Sequence, residues 1–217
     1  MTRLYGYPIS NYSNKVKLFL LEKNIEFEEI RTPYSQDEEF LKRSPMGKIP
    51  YIEIEGHYLF ESQVIIEFVE ASFPNTKRLF PNDPLEAALV RSIISIIENY
   101  IDTPARRVYT PGLQRESVPA ETIEEVRISL KRATSALARV VKFSPFIAGS
   151  EFTAADCAAF ATLPLVIDNL SEWISPCPIE ELPGLQAYLE MMNSLPGPAK
   201  VEKARATIMK ALRRSRK

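Results

Sequence analysis

The chain has 217 residues, 45% hydrophobic and 25% charged, with 27 Lys+Arg against 28 Asp+Glu for a net charge of −1. That suits a soluble globular chain of one large or two small domains whose core needs no disulfides, and near-neutral charge argues against general nucleic-acid binding. One histidine and two scattered cysteines cannot make a zinc site of ordinary spacing, a hydrolytic triad would have only His57 as its base, and neither phosphate-cradling glycine motif is present.

The first 75 residues alternate between strand and helix patterns. "RLYGY" reads as a short strand, and "SNKVKLFLLEKN" as a helix with Val16, Phe19 and Leu20 at helical spacing and Asn24 as its stop. Ser13 is a plausible N-cap of that helix. "FEEIR" is a second strand and "QDEEFLKR" a short polar helix. "PYIEIEG" and "HYLF" form a hairpin through Glu55-Gly56, with His57 exposed, and "SQVIIEFVEASF" is a further helix. The order is β-α-β-α-β-β-α over residues 1–75. The prolines of "FPNTKRLFPNDP" mark a linker over 76–84.

Residues 85–217 read as all helix. "LEAALVRSIISIIENYIDTPARRV" is one long helix, "PAETIEEVRISLKRATSALARVVKF" a second, "TAADCAAFATLPLVIDNL" an apolar third and "PGLQAYLEMMNSL" a fourth. Thr153 and Asp156 form a T-x-x-D capping box, a folding element rather than a catalytic one. The basic tail "KALRRSRK" reads as a solvated terminus. No apolar run has membrane length and no leader pattern stands at Met1, so a cytoplasmic chain without a membrane partner is expected.

Three short pieces of the first region suit a small peptide-like anion. In "GKIP", a cis Ile49–Pro50 bond would turn the backbone of Ile49 outward, where an extended ligand could pair with it as an added strand. In "FES", Ser62 reads as the N-cap of a helix whose free N–H groups suit a carboxylate, while Glu61 supplies a charge for an ammonium. In "ISNYS", Ser10 has no base to make it a nucleophile, but its hydroxyl can donate to a thiolate. A bond of that kind, worth about 1.5–3 kcal/mol, lowers a thiol pKa by roughly one to two units. The sulfur would belong to the ligand.

Together, "SPMGKIPYIEIEGHYLFESQVIIEFVE" and "FIAGSEFTAADCAAF" resemble the two domains of the cytosolic glutathione transferase superfamily. The likeness is to bacterial, serine-type members of the theta or zeta kind. It implies a thioredoxin-like α/β domain followed by an all-α helical bundle, with glutathione as co-substrate and no covalent cofactor. It also implies that Ile49 and Pro50 meet the cysteinyl backbone, that Glu61 and Ser62 hold the γ-glutamyl end, and that Lys48 reaches the glycyl carboxylate. Ser10 corresponds to the serine that meets the thiolate, with Tyr5, Tyr7 and Asn11 as alternates. Tyr12, Arg106 and Tyr109 are candidates for the cleft of an electrophilic second substrate. The expected activity is thiolate addition to an electrophilic small molecule, or reduction of a peroxide, as in detoxification. A partner-binding protein of the stringent-starvation type and a glutathione-dependent disulfide reductase are the alternatives. The resemblance further implies a homodimer.

Overall fold

The structure, a computed structural model, describes residues 1–113 and 117–215. By compactness the chain forms two units, Met1–Phe80 together with Met192–Lys217, and Pro81–Met191.

The first unit is built on four strands: β1 (Thr2–Gly6), β2 (Phe27–Arg31), β3 (Tyr51–Ile54) and β4 (His57–Phe60). They lie in the order β2-β1-β3-β4. β1 and β2 are parallel, and β3 is antiparallel to both β1 and β4. The helices α1 (Asn11–Glu22), α2 (Glu38–Leu41) and α3 (Ser62–Ser72) complete the expected β-α-β-α-β-β-α order. This is the thioredoxin-like α/β arrangement.

Strand alternation decides what each face of the sheet meets. Thr2, Leu4 and Gly6 are buried, whereas Arg3 and Tyr5 are half-buried. Gly6 identifies the inner face, because a Cβ there would come within 2.7 Å of Ser13 Oγ on α1. On that side Leu4, Phe19, Ile52, Ile65, Ile66 and Val69 are at most 1% exposed. Each such side chain contributes about 1.5–3 kcal/mol of burial free energy. On the other face Tyr5 stacks on Tyr51 at 4.5 Å, and Phe40 of α2 meets Tyr51 edge-on at 5.5 Å. α2 buries no residue of its own, as its polar sequence predicts. The hairpin turn has positive φ at both Glu55 and Gly56, the arrangement that matches strand twist in a two-residue loop.

The linker is pinned more tightly than its prolines suggest. Glu70 of α3 is buried, receives the Lys23 ammonium at 2.7 Å, and accepts the N–H groups of Leu79 and Phe80 at 3.0 and 3.2 Å. Lys23 also donates to the Lys77 carbonyl at 2.8 Å. These bonds fasten 77–80 to the first unit, and the division falls after Phe80, within the 76–84 linker.

The second unit is all helix among its described residues: α4 (Pro84–Ser95), a π-helical segment (Ile96–Asp102), α5 (Thr103–Leu113), α6 (Ala120–Ala138), α7 (Ala154–Leu170) and a short 3₁₀ turn (Pro178–Glu181), followed by α8 (Leu185–Ser194), which reaches the division between the units. The single long helix expected from Leu85 is thus two α-helices with a wider-wound piece between them. α7 is the central buried helix, with Ala154 to Leu163 all buried. Asp156 closes its start: it accepts from the N–H of Thr153 (2.8 Å) and Ile147 (2.9 Å), and from the hydroxyls of Thr153 (3.1 Å) and Tyr188 (3.1 Å).

Beyond α8 the chain continues as helix. Residues 196–215 form one more helix, α9 (Pro196–Ser215), which packs on α1 as part of the first unit. Gly197 lies so close to Leu18 and Glu22 that an added Cβ would meet them at 3.2 and 2.6 Å. The Leu-Pro-Gly-Pro run reads as a breaker, but proline in a first helical turn loses no bond it could have made. Residues 216 and 217 of the basic tail lie outside the described residues.

Candidate functional site

One row of the sheet organises the candidate site. Tyr5 of β1 pairs with Tyr51 of β3, and Tyr51 pairs with Phe60 of β4. β1 leaves the sheet just past this row, β3 enters at it and β4 leaves at it. The segments beyond it are Gly6–Ser10, Ile49–Pro50 and Glu61–Ser62, all at one edge. With strands about 4.8 Å apart, the outer two segments stand roughly 10 Å from each other, close to the span of an extended tripeptide at about 3.3–3.6 Å per residue.

At one end of this edge α1 begins. Ser10, not Ser13, is its N-cap: φ −80° and ψ 118° are extended, and its Oγ accepts the Ser13 N–H at 3.2 Å. Ser13 is instead buried against Gly6 and accepts the Tyr7 N–H at 3.4 Å. The turn before the helix is closed by Ser10 N–H to the Tyr7 carbonyl (2.9 Å) and by the Asn14 amide to the Pro8 carbonyl (2.8 Å). A capping serine uses a lone pair and keeps its hydroxyl proton to donate. Asn11 is buried at the first helical position and Tyr12 half-buried beside it.

In the middle, the Ile49–Pro50 peptide is cis, with Ile49 half-buried and Pro50 buried. The loop before it is tight. Gly47 has φ +65° and no room for a side chain, since a Cβ would lie 2.3 Å from the Ser35 carbonyl. Lys48 is exposed, and its carbonyl accepts the Ser44 hydroxyl at 2.8 Å.

At the far end Glu61, not Ser62, is the N-cap of α3, and Ser62 is the first helical residue. Glu61 has φ 65° and ψ 112°, its side chain makes no capping bond, and the first turn of α3 contains no acidic residue. A non-glycine residue in such a conformation costs on the order of 1–3 kcal/mol and persists only where its surroundings hold it. The partial positive charge of the helix start is therefore left for an incoming anion.

Tyr5 and Tyr7, both alternates to Ser10, are separated by the structure. Tyr5 turns its hydroxyl away from the edge, two paired rows back, donating to Glu53 Oε2 at 2.7 Å. Burial, then the bond to Glu53 and that carboxylate's charge, push its phenol up to about 12. In return that hydrogen bond, with help from Arg3, holds the Glu53 carboxyl below its usual value. Tyr7 lies past the end of β1, half-buried in the turn.

Arg106 and Tyr109 belong to the second unit and gather on a buried carboxylate. Asp102 accepts the Arg106 guanidinium at 2.7 Å and the Tyr109 hydroxyl at 2.8 Å, and the guanidinium lies over the Tyr109 ring. Arg107 pairs on the surface with Glu125 at 2.7 Å. Both cysteines are buried, and burial pushes the Cys177 thiol up to about 11, which keeps it protonated at neutral pH.

Two residues at the edge escaped sequence reasoning. Lys15 of α1 is 1% exposed, and its ammonium donates to Gln63 Oε1 at 3.0 Å in the first turn of α3. The available signal was that Lys15 shares a helical face with Leu18 and Phe19, three and four residues on.

Residues 4–77 match the glutathione S-transferase N-terminal domain family, and residues 120–190 the C-terminal domain family. A glutathione S-transferase of Pseudomonas putida is 35% identical over 201 residues, covering 93% of this chain and 91% of that one. The mouse maleylacetoacetate isomerase is 34% identical over 104 residues, 45% of this chain and 48% of that one. Among solved structures, an epsilon-class glutathione S-transferase from the housefly, Musca domestica, superposes with a TM-score of 0.79 at 21% identity, covering 98% of this chain and 97% of that one, a likeness of fold. Two matched domains in the right order, and a relative aligned over nearly the whole length, establish that the chain belongs to the glutathione S-transferase family.

Proposed function

We propose that the chain is a bacterial, serine-type glutathione transferase in which Ser10 donates to the thiolate of bound glutathione. The observation that carries this reading is the shared row Tyr5–Tyr51–Phe60, beyond which Ser10, Ile49–Pro50 and Glu61–Ser62 stand in order along one edge. A γ-glutamyl end at Glu61 and Ser62 meets a carboxylate for its ammonium and a helix start for its own carboxylate. A cysteinyl backbone beside Ile49 lies between, which leads the sulfur toward Ser10. Lys48, exposed in the loop before Ile49, is the proposed partner of the glycyl carboxylate.

In this reading the thiolate attacks an electrophilic carbon and a C–S bond forms as the leaving group departs, or it attacks a peroxide oxygen, the O–O bond breaking to release an alcohol, and a second glutathione then displaces water from the resulting sulfenic acid to give the disulfide. The protein contributes binding, orientation and an ionised sulfur. Ser10 is favoured over Tyr5 because the Tyr5 phenol is committed to Glu53 and faces away from the edge. The near-full-length relative, itself a glutathione S-transferase, favours this reading over a partner-binding protein or a disulfide reductase. The partial likeness to the mouse maleylacetoacetate isomerase adds maleylacetoacetate to the candidate substrates. Tyr12 remains a proposed contact of the electrophile, whereas Tyr109 is buried with its hydroxyl on Asp102.

A cytoplasmic homodimer is part of the proposal. Phe60, Val64 and Phe68 leave an apolar row exposed on β4 and α3, as do Leu85 and Leu89 on α4. Among the described residues no helix is long and apolar enough to cross a membrane.

The test is the ultraviolet thiolate signal of glutathione titrated against pH, in wild type and Ser10→Ala. We expect a saturable signal at neutral pH whose midpoint rises by roughly one to two units in the variant. A signal unchanged in Ser10→Ala moves the role to Tyr7 or Asn11. Absence of any glutathione binding by calorimetry overturns the transferase reading.

A further inference from the structure

We propose that Lys15 and Gln63 form a strut that holds the strained Glu61 corner in its ligand-ready conformation, making Lys15 a positioning residue for the γ-glutamyl end of glutathione. The inference rests on the transferase reading above and adds to it a residue pair from this chain's own packing.

Glu61 carries the strain at this corner. Its left-handed φ of 65° is not one an ordinary side chain selects by itself. The residue is exposed and its own side chain makes no capping bond. What fixes it must therefore act on the residues that follow. Ser62 is buried, and Gln63 next to it is gripped from two sides. Its carbonyl oxygen accepts the Lys15 ammonium at 3.0 Å, and its amide nitrogen donates to Glu67 Oε1 at 2.8 Å, one turn further along α3. The order Lys15–Gln63–Glu67 lets a carboxamide meet a cation with its oxygen and an anion with its nitrogen. This also assigns the orientation of the amide.

Lys15 is anchored at its other end. It sits one turn into α1, the helix that Ser10 caps, and its stem is buried beside Val16 and Phe19. The strut thus joins the helix carrying the proposed sulfur-binding serine to the first turn of the helix carrying the γ-glutamyl site. Without it, the Glu61 backbone relaxes toward an ordinary φ in the unliganded protein. Ligand binding must then restore the strained form, and apparent affinity falls by the fraction of molecules that hold it.

The test is a cycle between ligand and protein, read by calorimetry at neutral pH. Glutathione and cysteinylglycine, which lacks the γ-glutamyl group, are titrated into wild type, Lys15→Met, Lys15→Arg and Gln63→Leu, each first checked for cooperative thermal unfolding. Methionine keeps most of the buried stem and removes the cation. We expect Lys15→Met and Gln63→Leu to weaken glutathione about tenfold to a hundredfold. Cysteinylglycine affinity should stay within about twofold, and Lys15→Arg should restore most of the loss. Equal weakening of both ligands, or no weakening of glutathione in either variant, overturns the strut. A wild type that binds glutathione no better than cysteinylglycine overturns the γ-glutamyl assignment beneath it and removes the strut's role with it. Gln63→Leu keeps the question answerable should a Lys15 variant fail to fold.

Discussion

Helix α7 starts on a carboxylate, Asp156, that receives four donors and is completely enclosed. Helix α3 starts on Glu61, exposed, strained and bonded by its side chain to no backbone donor of the helix. Both starts are acidic residues at a helix N-terminus, where a negative charge is favourable. The difference lies in how far each is satisfied. At α7 every oxygen of the carboxylate is used, so the arrangement fastens the loop at Ile147 and the hydroxyl of Tyr188 to the helix and has nothing left for a ligand. At α3 the helix dipole and the carboxylate are both left for one.

The comparison is broken most severely by removing the closed start. Asp156→Ala leaves several buried donors unpaired, each costing roughly 1–3 kcal/mol, and should destabilise the protein by about 4 kcal/mol or more in denaturant unfolding. Glutathione affinity of the molecules still folded should be unchanged. A loss of affinity without a loss of stability would reverse the roles of the two starts.

Glu61→Gly should do the opposite. Glycine adopts φ 65° without strain, relieving roughly 1–3 kcal/mol against a backbone entropy cost of roughly 0.5–1 kcal/mol. Stability should hold or rise by about 1 kcal/mol, while glutathione affinity falls at least tenfold with the lost carboxylate. A stability loss in this variant would show that Glu61 serves the fold.

The smallest effect concerns Tyr5, which is near the edge in sequence but turned from it. Its phenol titrates at about 12 in the folded protein, against about 10 for an unfolded tyrosine. Between those values the unfolded chain has released the proton and the folded chain still holds it. The stabilisation is therefore complete below pH 10 and lost as pH rises toward 12. Tyr5→Phe should remove one late-ionising phenol from an absorbance titration and flatten the alkaline stability loss, with glutathione thiolate formation unaltered.

Much of this was legible in the sequence, because the relevant signals are local. The strand and helix periods, the Glu55-Gly56 turn, and the Ile49–Pro50 and Glu61-Ser62 pairs all lie within a few residues of one another. What stayed hidden is non-local or conformational. No local pattern states that Tyr51 pairs with both Tyr5 and Phe60, and that register is what brings three separate segments to one edge of the sheet. Ser10 and Ser13 are both good capping residues, and the choice between them was made by Gly6, whose missing side chain leaves a slot for Ser13. Glu61 lacks the glycine that would advertise its backbone angle. Lys15 reads as a surface lysine until Gln63, 48 residues away, is seen to meet it.

The return of α9 to the first unit has a consequence for synthesis. In the order in which residues are made, the helical unit is an insertion: it begins at Pro81 and is complete at Met191, while the first unit still lacks residues 192 onward. On the ribosome the usual precedence of the N-terminal part is therefore inverted at the finish. The helical unit has its whole sequence while α1, already exposed from the channel, still waits for the helix that covers Leu18. The surface around Leu18 and Glu22 stays open on the nascent chain until α9 is made.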